Sequence, residues 1–344
     1  MATNPRIIKK RKDAIDRVRT TADICKILGE NELRLQLMAN SPRYKVYTIR
    51  KKNGNLRLIE DPEIQLKEVL RTINDHLQAV YYYQRPDCVH GFCISSTHDP
   101  DRNVVSNAQA HMMSATMLNI DLKDFFHQIS VSQVKGIIKR QFHRWDNYLA
   151  AMIASLCTYK KRLPMGSPTS PILSNFAMLE LDHELMQLSR VFEVTYTRYA
   201  DDLTFSSGSD LPTDFVKMVR DALQHHGFTV NENKVKYYQA SDIKIVTGII
   251  VNPTGLSLPD DYMTQLRTEI DLYRNSRLVD AMYQTGMSER KMTLFEQEII
   301  GKLNFGYMVM PDDPELNELN QLFEVEIDVE SMTQSWLDIP YNMM

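Results

Sequence analysis

Leu66, Val69, Leu70, Ile73 and Leu77 recur at three- and four-residue intervals, the spacing of one helix face. The same periodicity predicts helices over 132–143, 147–158, 172–189 and 213–226, and a helical stretch over 21–40 broken near Gly29 and Asn31. Gly227 is placed to end the helix before it. From Pro259 onward the pattern is helical again, with proline at a helix start. Tyr44–Arg50 and Asn55–Glu60 read as strands joined by Lys51-Lys52-Asn53-Gly54, and Asn-Gly between such runs predicts a hairpin. Met117–Asp121 reads as a strand, with Leu118 and Ile120 on one face and Met117, Asn119 and Asp121 on the other. Residues 192–207 read as a second hairpin, with further strands near 228–230, 235–239 and 243–251. Residues 81–106 read as irregular, and 163–171 as a Pro/Gly/Ser loop. The order predicts an α+β fold, an antiparallel sheet backed by helices.

Charge changes this picture at the two ends. The net charge is −4, but residues 311–344 hold nine Asp and Glu and no Lys or Arg, so the remainder is net positive. Arg6, Lys9, Lys10, Arg11, Lys12, Arg17 and Arg19 crowd the N-terminus. Such a run fits phosphate neutralisation, and equally a solvated, partly disordered arm. The acidic tail fits a partner-binding segment, a cover for a basic groove, or a stretch ordered only in a complex. No apolar run approaches the roughly 18–20 residues of a membrane span, and no signal-peptide pattern is present. The expected location is the cytoplasm. Cys88, His90, Cys93 and His98 form a loose cluster that fits no zinc spacing well; idle thiols in a reducing compartment fit Cys25, Cys88, Cys93 and Cys157 better.

The candidate chemistry lies in Tyr199-Ala200-Asp201-Asp202, between the β-prone runs Val194–Thr197 and Leu203–Phe205. A turn there presents two carboxylates at one sheet edge, where a hard divalent cation can bridge them. The same string also fits an ordinary polar turn. Asp121 ends the apolar strand 118–121, a good place for a metal ligand and also for a cap. Together, Asp121, Asp201 and Asp202 give three carboxylates from two strands, enough for two Mg²⁺ in nucleotidyl transfer.

These residues resemble the reverse transcriptases, specifically the retron type. Tyr199–Asp202 resembles the family's catalytic box, and Asn119-Ile120-Asp121-Leu122-Lys123-Asp124-Phe125-Phe126 its first carboxylate box. Leu163-Pro164-Met165-Gly166-Ser167-Pro168-Thr169-Ser170-Pro171, continued by Leu173-Ser174-Asn175, resembles the nucleotide-binding loop. Gly227-Phe228 with Asn231 and Lys234 resembles the next box. Asn107-Ala108-Gln109-Ala110-His111 and Val246-Thr247-Gly248 resemble two elements of the retron branch, and His90-Gly91-Phe92 fits the box before the first of them. The strings run in family order from about Arg57 to Gly248.

The resemblance implies a right-hand polymerase. Residues 1–43 would be a basic helical extension, 44–116 part of the fingers, 117–131 palm, 132–170 shared by fingers and palm, 171–257 palm, 258–310 thumb and 311–344 an acidic tail. It implies that Asp121, Asp201 and Asp202 form the catalytic, metal-binding set, with two Mg²⁺. Phe126 would lie under the incoming sugar and exclude a 2′-hydroxyl. Arg57, and less directly Lys51 or Lys52, would meet the triphosphate; Met165 and Gly166 would line the nucleotide loop, and Lys234 would assist the leaving pyrophosphate. Met165 departs from the usual Gln and can only pack. Asn107, His111, Val246, Thr247 and Gly248 would contact RNA. The implied partners are a cognate structured non-coding RNA, its DNA copy, dNTPs and a separate effector protein in anti-phage defence, with no membrane. The implied reaction starts from a 2′-hydroxyl of that RNA and yields a branched RNA–DNA product. An intron, diversity-generating or abortive-infection enzyme shares the palm, and a non-catalytic RNA scaffold restraining a toxin is a further alternative.

Overall fold

A computed structural model describes residues 3–50, 54, 56–283 and 289–324. The chain divides into two compact units, residues 1–247 and a second from Gly248 onward.

The first unit opens on α1 (Pro5–Asp16), capped by the Asn4 side chain on the Arg6 amide. Ile8 and Ile15 are buried, so the basic run is an ordered helix with one apolar face and not a loose arm. α2 (Thr21–Leu28) and α3 (Glu32–Asn40) are separated at Gly29, which takes φ +68°. β1 (Tyr44–Arg50) and β2 (Leu56–Pro62) form the expected antiparallel hairpin, Tyr44 opposite Pro62 and Arg50 opposite Leu56. Residues 51–53 and 55, with Lys51 and Lys52, lie outside the described residues. α4 (Ile64–Tyr82) buries Leu66, Val69, Leu70, Ile73 and Leu77, the five positions whose spacing predicted it.

The stretch expected to be irregular is partly helical. α4 runs on to Tyr82, and α5 (Val104–Gln109) starts where Asn103 caps the amides of Val105 and Ser106. β3 (Thr116–Asp121) follows, then a short 3₁₀ turn (Phe125–Gln128), α6 (Val131–Gln141), α7 (Asn147–Leu156) and the long α8 (Ser170–Val191). β4 (Thr195–Tyr199) and β5 (Asp202–Ser207) make the second hairpin, followed by α9 (Thr213–His225), β6 (Lys236–Tyr238) and β7 (Lys244–Val246).

The central sheet has the order β4-β5-β3-β6, all neighbours antiparallel. β3 lies inside it, and Met117, Leu118, Ile120 and Asp121 are all buried. α8 and α9 back the sheet: Phe215 of α9 meets Phe205 edge-on, at 5.6 Å between ring centroids. The antiparallel sheet backed by helices is thus the expected architecture. Residues 228–230 are not a strand; Val230 makes one bridge to Leu122.

The second unit starts with β8 (Ile249–Asn252) and β9 (Gly255–Ser257), a hairpin, then α10 (Asp260–Tyr283), α11 (Glu289–Val309) and α12 (Pro314–Glu324). The single strand expected over 243–251 is two, because Thr247 and Gly248 turn the chain with φ +49° and +87°. The acidic tail is helical over α12, and residues 325–344 lie outside the described residues.

Candidate active site

The β4–β5 hairpin turns in two residues, Ala200 and Asp201, with Tyr199 opposite Asp202. Ala200 takes φ +59°, the positive value that primed hairpin turns need at their first central position. On the next strand Asp121 stands opposite Asp202, and the Leu122 amide donates to the Asp201 carbonyl at 3.1 Å. The register therefore brings all three predicted carboxylates to one edge of the sheet.

Two groups already hold Asp121. Lys234 Nζ donates to Oδ2 at 2.8 Å and Asn231 Nδ2 to Oδ1 at 2.9 Å. The Asn231 amide also donates to the Asp121 carbonyl at 2.8 Å. Lys234, expected at the leaving group, is thus paired with a carboxylate. Its own pKa is raised by that hydrogen bond. Among the described residues no three His, Cys, Asp or Glu converge as a ready-made metal cluster. The donor set still fits a hard cation: it is all carboxylate, and its negative charge is only partly offset. Burial, then the charges of Asp201 and Asp121, push the Asp202 carboxyl up to about 7. Asp201 is raised as well, chiefly by burial and with help from Asp121, while Lys234 and Arg57 oppose the rise.

A buried scaffold aims the turn. Arg198 is fully buried and grips Asp182 of α8 through Nε at 2.8 Å and Nη2 at 2.6 Å. Its Nη1 donates to the Ala200 carbonyl and to Asn175 Oδ1, both at 3.0 Å. Asn175 Nδ2 donates in turn to the carbonyls of Gly91 and Phe92. The 88–90 segment runs beside β4, the Arg198 amide donating to Cys88 and the His90 amide to Arg198. Gly91 lies so close to the turn that a Cβ would sit 2.7 Å from the Ala200 nitrogen. Gly91→Ala is expected to displace the turn and lower polymerisation at least about tenfold, since misplacement by about 1 Å costs on that scale or more. Primer-extension rates on the folded variant check this; an unchanged rate would show that the turn tolerates the shift.

The other predicted residues take varied positions. Phe125 is the buried member of its pair, its ring tilted against Phe228, while Phe126 is half-buried against Phe92 and Phe125. Arg57 is exposed on β2, and its charge reaches Asp201. Met165 is half-buried, and its carbonyl accepts from the Glu60 amide at 2.7 Å. Gly166 has φ +124°, and a Cβ there would meet the Glu60 carbonyl at 2.9 Å.

The RNA-contact set needs correction in part. His111 is fully buried, with Nδ1 2.7 Å from Ser206 Oγ and Nε2 2.7 Å from Thr197 Oγ1. Burial pulls its pKa down to about 3, so it is a neutral strut under the sheet and not a surface contact. Val246 is also fully buried, and Asn107 is 1% exposed with neither amide atom hydrogen-bonded. Thr247 is half-buried and Gly248 exposed. Arg198, Asp182, Asn175 and Asn231's grip on Asp121 were not foreseen as site features. The signal available was position: Arg198 directly precedes the Tyr199–Asp202 box, and Asn175 closes the nucleotide loop.

The antiparallel sheet, its backing helices and the carboxylate edge define the palm of a right-hand polymerase. The chain belongs to the reverse transcriptase (RNA-dependent DNA polymerase) family, whose pattern it matches over residues 49–251. It is 30% identical over 259 residues to the retron Mx65 reverse transcriptase of Myxococcus xanthus, covering 69% of this chain and 58% of that protein. It is 29% identical over 250 residues to the retron Ec86 reverse transcriptase of Escherichia coli, covering 69% and 72%. The retron Mx162 reverse transcriptase of M. xanthus is 27% identical over 302 residues, covering 76% and 60%. The alignments thus span less than two thirds of both Myxococcus proteins. The likeness to the retron type stands on these relatives. No helix among the described residues is long and apolar enough to cross a membrane.

Proposed function

We propose that the chain is an RNA-directed DNA polymerase that copies part of a cognate structured non-coding RNA. The single observation that carries this reading is the register placing Asp121 against Asp202 beside the Asp201 turn, in a chain of this family. Asp121, Asp201 and Asp202 would hold the divalent cations, Mg²⁺ by preference. Bound there, the cations supply Lewis acidity to the attacking hydroxyl and to the leaving pyrophosphate. Lys234, paired with Asp121 at 2.8 Å, would assist the leaving pyrophosphate. Arg57 meets the triphosphate from the β1–β2 hairpin, with Met165 and Gly166 across from it.

Residues 44–116 serve as part of the fingers, 132–170 are shared by fingers and palm, 117–131 and 171–257 serve as palm, and 258–310 as thumb. Of the five residues expected at RNA, Gly248 is exposed and Thr247 half-buried, so these two remain candidates for that contact, while Asn107, His111 and Val246 are buried. The likeness to retron enzymes further supports priming from a 2′-hydroxyl of the RNA, a branched RNA–DNA product, a cytoplasmic site of action and a separate effector protein in defence.

The test is extension of a DNA primer on an RNA template by the purified chain. Incorporation should need dNTPs and a divalent cation. Phe126→Ala should admit NTPs, raising their use relative to dNTPs at least about tenfold, because the ring that meets a 2′-hydroxyl is gone. No incorporation by the parent on any primed RNA would refute the polymerase reading, and unchanged discrimination would remove Phe126 from the sugar site.

A further inference from the structure

Glu60 is a fully buried carboxylate on β2. Arg162 grips it with a fork, Nη1 to Oε2 at 2.8 Å and Nη2 to Oε1 at 3.0 Å. Lys160 Nζ and His127 Nε2 each lie 3.7 Å from it. Burial pushes the Glu60 carboxyl up, but Arg162, with smaller help from His127 and Lys160, outweighs this and holds it below its ordinary value. The backbone makes the same link, through the Glu60 amide on the Met165 carbonyl and the close pass of Gly166. The hairpin that carries Arg57 is therefore joined to the Leu163–Pro171 loop twice, and His127 brings the joint next to Phe126.

The turn that delivers Arg162 is strained. Lys160 and Lys161 both have positive φ, 50° and 63°, where a two-residue hairpin turn favours Asn-Gly. The turn is nevertheless laced in place: Tyr159 and Arg162 exchange backbone bonds at 2.9 and 3.1 Å, and the Leu163 amide donates to Ile129 at 3.0 Å. A buried ion pair adds little net stability over an apolar pair. What the fork supplies is a fixed distance and direction between two elements.

We propose that the Glu60–Arg162 pair is a positioning device for the incoming nucleotide, fixing Arg57 on the hairpin against Met165 and Gly166 on the loop. The inference rests on the polymerase reading and adds to it a determinant of nucleotide affinity that lies away from the carboxylates. Glu60 and Arg162 need not touch the substrate. They set how well two substrate-facing segments are aligned before it arrives.

Steady-state kinetics on a preformed primer–template, with dNTP titrated, tests this. Glu60→Gln keeps shape and loses charge; Arg162→Lys keeps charge and loses the fork. Each should raise the dNTP KM about tenfold, a coupling of ordinary size for a buried pair. The kcat should stay within about threefold, and primer–template affinity should not change. The double variant should be no worse than the worse single one, since both break one joint. Unchanged KM in the folded variants, or loss confined to kcat, would overturn the proposal. If Glu60→Gln fails to fold, Arg162→Lys, which leaves the carboxylate a cation, decides alone. A parent that incorporates no dNTP would instead refute the polymerase reading, and the positioning role with it.

Discussion

Asp201→Asn with Asp202→Asn is expected to abolish DNA synthesis, by at least about 10³-fold, while leaving a folded protein. The loss follows from removing groups that act on the transition state and not merely on substrate binding. The fold should survive because these carboxylates strain it. Asp202 is pushed up to about 7 from an ordinary value of 3.8, burial first and its two neighbours next. Between those values the folded protein holds a proton that the unfolded chain has released. Stability without divalent cation therefore falls as pH rises from about 4 to about 7, and stays lowered above that. The variant should lose this slope and melt higher than the parent at pH 8 in a chelator. Adding Mg²⁺ should narrow the gap by stabilising the parent alone. Thermal melts at several pH values, with and without Mg²⁺, check this. A parent with no such slope and no response to the cation would mean that the carboxylates are not the charged cluster described.

Arg198→Met is expected to be the most destabilising single change in the first unit. It leaves Asp182 buried with only Tyr196 Oη donating to it at 2.8 Å, and it takes the Arg198 donor from the Ala200 carbonyl and from Asn175 Oδ1. Breaking a buried pair from one side costs about 3–5 kcal/mol, or a melting shift of roughly 10 °C for a unit of this size. Replacing both partners with apolar residues should recover much of the stability. It should not recover activity, because the bond from Arg198 to the catalytic turn stays lost. Melting curves of the single and double variants, with primer extension on each, separate these effects. A double variant as active as the parent would reduce Arg198 to a core ion pair.

The sequence made the palm legible because its signals are local. Met117–Asp121 and residues 192–207 carry the strand pattern and the carboxylates in the same few residues, so element and chemistry could be read together. The retron-like elements were read less well. Asn107-Ala108-Gln109-Ala110-His111 identifies the branch, but the string does not say which way each side chain faces. His111 points under the sheet because Ser206 and Thr197 on β5 and β4 offer it two hydroxyls. The Arg198–Asp182 and Glu60–Arg162 pairs were invisible for a related reason. Their partners are 16 and 102 residues apart, and neither residue stands out from the polar positions around it. Long-range ion pairs have no local pattern; only the folded sheet and loop bring them together. The split of the 243–251 strand was missed because a threonine at positive φ is not foreseeable from residue type.

The most direct test of RNA-directed DNA synthesis uses cells that carry this gene with its native flanking DNA. Nucleic acids are extracted, treated with RNase and examined for a discrete small single-stranded DNA, with the Asp201→Asn/Asp202→Asn variant alongside. The predicted result is a DNA species present with the parent and absent with the variant, its sequence complementary to a flanking transcript. Soluble parent protein and transcribed flanks without any such DNA would contradict it.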